Sequence, residues 1–215
     1  APQMKLDATR GYGAEVVTYD RYKEDRAALA KHLADDRNAV LIPPYDYLPV
    51  MAGQGTCGLE IVEEVENLDA LIVCTGGGGF LSGCTVAAKA VQPAIKVFGA
   101  EPAAGNDVQC SLRCGQIVSI DVPKTICDGQ QTQAVGTHPW AVIRKDVTDI
   151  LTATDDTVVD AMRFAFERIK IVLEPSGACA LATLMENREQ FAGQRVAITL
   201  SGGNIDFRRF ASLLQ

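Results

Sequence analysis

The sequence predicts an α/β fold: an open, mostly parallel sheet with helices on both faces. Three observations carry this. Apolar runs of strand length, such as Leu71–Cys74, have no polar alternation, as in strands buried on both faces. Such runs alternate with segments of helical period, which implies right-handed βαβ crossovers. Glycine clusters stand where strands hand over to helices, at Gly76–Gly79 and Gly202–Gly203.

Taken in order, Met4–Gly13 reads as the tail of a helix stopped by Gly13. Ala14–Tyr19 reads as a strand, Tyr22–Asp36 as a helix, and Ala39–Ile42 as a strand ended by Pro43-Pro44. Pro49–Val65 reads as a helix with proline in its first turn. Leu71–Cys74 is the buried strand. Four glycines and a small-residue helix to Val91 follow it. Ile95–Ala100 reads as a strand and Asp107–Cys114 as a helix, whereas Gln116–Lys145 reads as irregular. Ile150–Ala153 is a strand, and Thr154 caps a helix to Val172. Glu174 opens a helix to Phe191. Arg195–Leu200 is a strand, Ser201–Asn204 a loop and Asp206–Leu213 a closing helix. The composition shift at Pro43–Pro49 divides a β-α-β piece, residues 1–48, from a larger domain, 49–215.

Composition excludes several classes. Of 215 residues, 20 are Lys or Arg and 27 Asp or Glu, a net charge of −7, so no basic stripe exists for nucleic acid. No apolar stretch approaches the ~20 residues of a membrane span. Seven cysteines, with no Cys-x-x-Cys pair, are expected to be free thiols in a reducing cytoplasm. Only His32 and His138 are present, and no Gly-x-Ser-x-Gly elbow, so a hydrolase triad has no support.

Gly76, Gly77, Gly78 and Gly79 are the first candidate site. Backbone N–H groups without side chains can converge on a phosphate where the helix dipole favours negative charge. The ordinary alternative is a tight turn with glycines for packing. A dinucleotide fingerprint fails on spacing, because the third glycine position holds Leu81 or Ser82, and no Gly-Lys-Ser/Thr follows for a nucleotide-triphosphate loop. Ser201, on the second glycine-rich loop, can offer a hydroxyl to the same crevice or sit in a plain turn. Glu101 and Asp107, with Gly105 between them, can supply oxygens to Mg²⁺ or Ca²⁺, or cap a helix. Glu174 likewise reads as a capping acid.

Together these segments resemble a family. The strand–Gly76–Gly79–helix order, Ala100-Glu101-Pro102, Asp128-Gly129, Glu174-Pro-Ser-Gly177 and Ser201-Gly-Gly-Asn204 are similar to the fold-type II pyridoxal-phosphate enzymes. These have the tryptophan synthase β-like fold, and the nearest group is the serine/threonine dehydratases and serine racemases. Ala52-Gly-Gln-Gly-Thr56 and Tyr12-Gly-Ala-Glu-Val add to the likeness, which covers essentially the whole chain.

The resemblance implies roles. Gly76–Gly79 and the adjoining Phe80 would bind the phosphate of pyridoxal 5′-phosphate. Ser201 would hydrogen-bond the pyridine nitrogen and leave it unprotonated, which suits β-elimination. Glu101, the Gly105 carbonyl and Asp107 would hold a divalent cation. Tyr45, Gly129 and Glu174 would lie on the substrate side. An aromatic Tyr45 departs from the asparagine of serine racemases and tilts the reading toward an ammonia-lyase.

The segments that carry the covalent lysine and grip the substrate carboxylate have no match here, and Lys89 reads as solvated. The expectation is a C-terminal part of a homodimeric enzyme, with its N-terminal segment outside the numbering. Such an enzyme would convert a β-hydroxy amino acid, serine or threonine, to a 2-oxo acid and ammonia. A racemase or β-replacement enzyme, an NAD(P)-binding domain using Glu101, and a non-catalytic module are the alternatives.

Overall fold

The computed structural model describes residues 2–20 and 23–215. The chain divides into two compact units, Ala1–Pro43 and Pro44–Gln215. The first holds helices α1 (Gln3–Gly11) and α2 (Arg26–Asp36). Asp25 caps α2 by accepting from the N–H groups of Ala27 and Ala28. Arg37 donates to Glu15 from both terminal guanidinium nitrogens at 2.8 Å.

Two expected strands of this unit do not form ladders. Residues 14–19 and 39–42 have no strand assignment, and Val40 and Ile42 are exposed. A strand exists only through the neighbour that accepts its hydrogen bonds, and the described residues supply none. Tyr22, the expected start of the second helix, lies outside the described residues.

The second unit carries the sheet. Its elements are α3 (Leu48–Glu64), β1 (Ala70–Cys74), α4 (Gly79–Val91), β2 (Lys96–Pro102), α5 (Asp107–Cys114), α6 (Thr137–Asp146), β3 (Asp149–Ala153), α7 (Asp155–Phe164), α8 (Pro175–Glu186), β4 (Val196–Ile198) and α9 (Phe207–Leu213). A π-helical turn, Ala165–Ile169, extends α7. The strand order is β3-β2-β1-β4 and every pairing is parallel. The expected architecture is therefore the observed one.

Alternation along β1 explains the layers. Leu71 and Val73 face a core built with Val62, Leu81, Ala88 and Ile143. Ala70 and Ile72 face the opposite core with Phe98, Ala180 and Phe191. A third cluster ties α7, α8 and α9 together through Val158, Met162, Leu181 and Phe210.

Helix α6 corrects the reading of 116–145 as irregular. Its cap comes from another part of the chain: Asp46 accepts from the N–H groups of Thr137 and His138 at 2.9 and 2.8 Å. Trp140 and Ile143 are buried on its inner face. Lys89 corrects the solvated reading. Its ammonium donates to the Ile95 carbonyl at 2.9 Å, about 15 Å along α4 from Gly79. Among the described residues, no helix is long and apolar enough to cross a membrane.

Candidate functional site

The glycine loop leaves the carboxyl end of β1. Gly76 has φ +51° and Gly78, the N-cap of α4, has φ +88°. Such left-handed backbone suits residues without Cβ. The first bond into α4 runs from Ser82 N–H to the Gly78 carbonyl. Gly79, Phe80 and Leu81 therefore present N–H groups with no acceptor inside the helix, at its positive end.

The packing alternative also has substance. A Cβ on Gly77 would lie 2.3 Å from Tyr45 Cγ. On Gly78 it would lie 2.8 Å from Pro139 and 2.9 Å from Val135. The side-chain faces of these glycines are filled by protein, while the helix-end N–H groups stay available. The two readings concern different faces of one loop.

Several expected residues converge on this loop. Gly76 borders Gly129, whose carbonyl would lie 3.5 Å from an added Cβ. Gly129 is held by its N–H donating to Ser176 Oγ at 2.9 Å. Ser201 is exposed, and its Oγ accepts from Cys74 Sγ at 3.1 Å, beside the start of the loop. Glu174 N–H donates to the Gly202 carbonyl at 3.0 Å, which ties the N-terminus of α8 to the Ser201 loop. A side chain on Gly202 would meet Glu174 Oε1 at 3.0 Å. Tyr45, half-buried, packs on Gly77 from the segment ahead of α3.

Three contributors were not singled out from sequence. Ser176 lies inside a noticed motif, but its partner is 47 positions away. Cys74 reaches Ser201 only because β1 and β4 are neighbours. Asp46 joins His138, whose Nδ1 lies 2.8 Å from Asp46 Oδ1. Burial raises the Asp46 carboxyl, but the N–H groups of His138 and Thr137 outweigh that and hold it below its usual range.

Glu101 and Asp107 meet at a separate place, where β2 runs into α5. Glu101 is 1% exposed, and its oxygens accept from Val108 N–H at 3.2 Å and Gln109 N–H at 3.0 Å. It caps α5, as the ordinary reading expected. Buried there, apart from the glycine-loop crevice, it is closed off from a ribose lying in that crevice, which removes the basis of the NAD(P) alternative. Asp107 differs. It is fully buried, and neither carboxylate oxygen has a hydrogen-bond partner. Burial pushes it up to about 7. Burial, then the Asp107 charge, raises Glu101 as well.

An unpartnered buried carboxylate beside a second one fits a divalent cation, with the buried Gly105 able to add only its carbonyl. Among the described residues, no three His, Cys, Asp or Glu side chains gather as a metal cluster. All seven cysteines are free thiols.

The residues also fit pyridoxal phosphate. The open N–H groups at the start of α4 suit a phosphate, and the exposed Ser201 hydroxyl suits a ring nitrogen.

Comparison with known proteins supports this. The family described as "Pyridoxal-phosphate dependent enzyme" matches residues 1–202. The chain is 50% identical over 214 residues to an L-threo-3-hydroxyaspartate ammonia-lyase of Saccharomyces cerevisiae, covering 100% of this chain and 66% of that protein. It is 48% identical over 214 residues to a serine racemase of Schizosaccharomyces pombe, with the same 100% and 66% coverage. The structure of maize serine racemase superposes with a TM-score of 0.91 at 34% identity, over 99% of this chain and 66% of the other. The chain thus spans about 66% of the length of these relatives. By its fold, its glycine loop and these likenesses, the chain belongs to the pyridoxal-phosphate dependent enzymes of fold type II, in the serine/threonine dehydratase group.

Proposed function

We propose that this chain is the cofactor-binding part of an ammonia-lyase that converts a β-hydroxy amino acid to a 2-oxo acid and ammonia. The observation that carries the reading is the convergence of the Gly76–Gly79 loop, Gly129 and Ser201 at the carboxyl end of β1. Pyridoxal phosphate, when bound, supplies an electron sink for the carbanion left by loss of the α-proton.

The chain's own residues bind and orient. The N–H groups at the start of α4, those of Gly79 and Phe80 among them, hold the phosphate, and Gly76–Gly78 form the approach to it. Ser201, as a hydroxyl partner, would leave the ring nitrogen unprotonated and so a weaker electron sink, which suits prompt loss of a β-hydroxyl. Tyr45 closes the loop on one side. Gly129 and Glu174 border the substrate side. Glu101, the Gly105 carbonyl and Asp107 hold a divalent cation, supported by the unpartnered Asp107 oxygens. The covalent lysine is proposed to lie outside residues 1–215, and the working enzyme to be a homodimer in the cytoplasm.

Among β-hydroxy amino acids, 3-hydroxyaspartate joins serine and threonine as a substrate to test, because relatives 50% identical carry that activity in their names. The test is product analysis on the whole protein with each of the three. Ammonia and 2-oxo acid in equal amounts are expected. The 48% likeness to a serine racemase supports racemisation as the second reading. D-serine formed without 2-oxo acid would overturn the lyase assignment.

A further inference from the structure

Cys74 lies beside the crevice, and the phosphate and ring contacts leave it without a role. It ends β1, on the sheet face shared with Ala70 and Ile72. Ile72 pairs with Ile198, so the same register brings Cys74 alongside Leu200, one residue before Ser201. The backbone N–H of Cys74 turns to Thr199 Oγ1 at 3.4 Å, and its Sγ donates to Ser201 Oγ at 3.1 Å.

We infer that Cys74 is a positioning residue: its S–H, donated to Ser201 Oγ, holds the serine hydroxyl with its own proton directed at the cofactor's pyridine nitrogen. The inference rests on the role proposed above for Ser201. A hydroxyl has one proton and two acceptor lone pairs. With one lone pair taken by the thiol, the O–H proton is left to meet the nitrogen lone pair. Burial pushes the Cys74 thiol up to about 11, so it remains a donor throughout the neutral range. Without it, an exposed serine rotor can turn among its staggered positions and toward water.

The test uses the 215-residue chain and pyridoxine 5′-phosphate, which has the ring nitrogen and phosphate but no aldehyde and so needs no lysine. Two quantities are read: the dissociation constant, and the near-ultraviolet spectrum of the bound ring, which reports the state of its nitrogen. Cys74→Ala is expected to weaken binding about two- to tenfold, the range for one modest hydrogen bond, and to move the spectrum toward that of the free ligand. Cys74→Ser keeps a donor and should restore both. In a Ser201→Ala background, Cys74→Ala should add nothing.

Additive losses, or an unchanged spectrum in Cys74→Ala, would overturn the inference and leave Cys74 as packing. Should Cys74→Ala fail to fold, Cys74→Val takes its place with the same expectations. If Ser201→Ala itself changes neither quantity, the Ser201 role falls, and this inference with it, while the loop assignment stands. If the unmodified chain binds pyridoxine 5′-phosphate no better than pyridoxine, the phosphate assignment fails as well.

Discussion

The ring of Tyr45 lies directly against the bare Cα of Gly77, with room for no atom between them: an added Cβ would stand 2.3 to 2.4 Å from three ring carbons. This contact joins the segment ahead of α3 to the loop that follows β1. Gly77→Ala should therefore displace the ring and cost about 1–3 kcal/mol, the range for overpacking a filled site. Tyr45→Ala should rescue much of that loss in the double variant. Thermal unfolding of the two single variants and the double would show it, and simple additivity would argue against the contact.

Gly78 calls for the opposite expectation from the one its place in a phosphate loop suggests. Its missing side chain points at Pro139, Val135 and Ile143, away from the helix-end N–H groups. Gly78→Asp would bury a carboxylate among apolar groups and strain a backbone at φ +88°. The expected result is loss of folding, seen by circular dichroism, before any specific loss of phosphate affinity. A well-folded Gly78→Asp chain that had lost only ligand binding would reverse this assignment.

Asp46 is expected to act as the cap of α6. Asp46→Ala should cost about 0.5–2 kcal/mol in denaturant unfolding, the usual range for a lost helix cap. The pH dependence has a definite sign. Its carboxyl is held below 3.8 in the folded chain, so its contribution is present above the unfolded value and is lost as pH falls through the lower folded value. Asp46→Ala should remove that part of the acid sensitivity, and His138 should lose its Nδ1 partner.

These contacts also show what could be read from the sequence. The sheet was legible because Leu71–Cys74 and its companions are apolar runs of strand length, and the glycine loop because four glycines follow one of them. Helix α6 was not, because its cap lies 91 positions earlier, at Asp46. The expected strands at 14–19 and 39–42 had the right composition, but pairing is a property of two segments, and composition reports one. Glu101 and Asp107 were visible as a spaced pair. Only the fold shows that one accepts an N–H of α5 on each oxygen while the other accepts none. Cys74 carried no local signal, since its partner is set by the order of β1 and β4.

That asymmetry yields the last prediction. Burial pushes the Asp107 carboxyl up to about 7 in the folded chain, from 3.8 when unperturbed. The folded state then holds a proton that the unfolded state has released, and stability falls with pH wherever the folded state binds more protons. The contribution is fully present below about pH 4 and is lost as pH rises through about 7. In a metal-free chain the loss should be on the order of 2–4 kcal/mol. Asp107→Asn should shrink the loss, leaving the part that burial of Glu101, raised in the same direction, contributes. A divalent cation held by the ionised pair should oppose the loss, since ligand binding to the native state stabilises it. Calcium or magnesium should therefore raise the unfolding temperature at pH 8, and a chelator should lower it in protein prepared without one. Neither ion should act on Asp107→Asn. A pH-dependent melting curve that ignores both cations and chelator would leave Asp107 as a buried, protonated acid, and the cation assignment would fall.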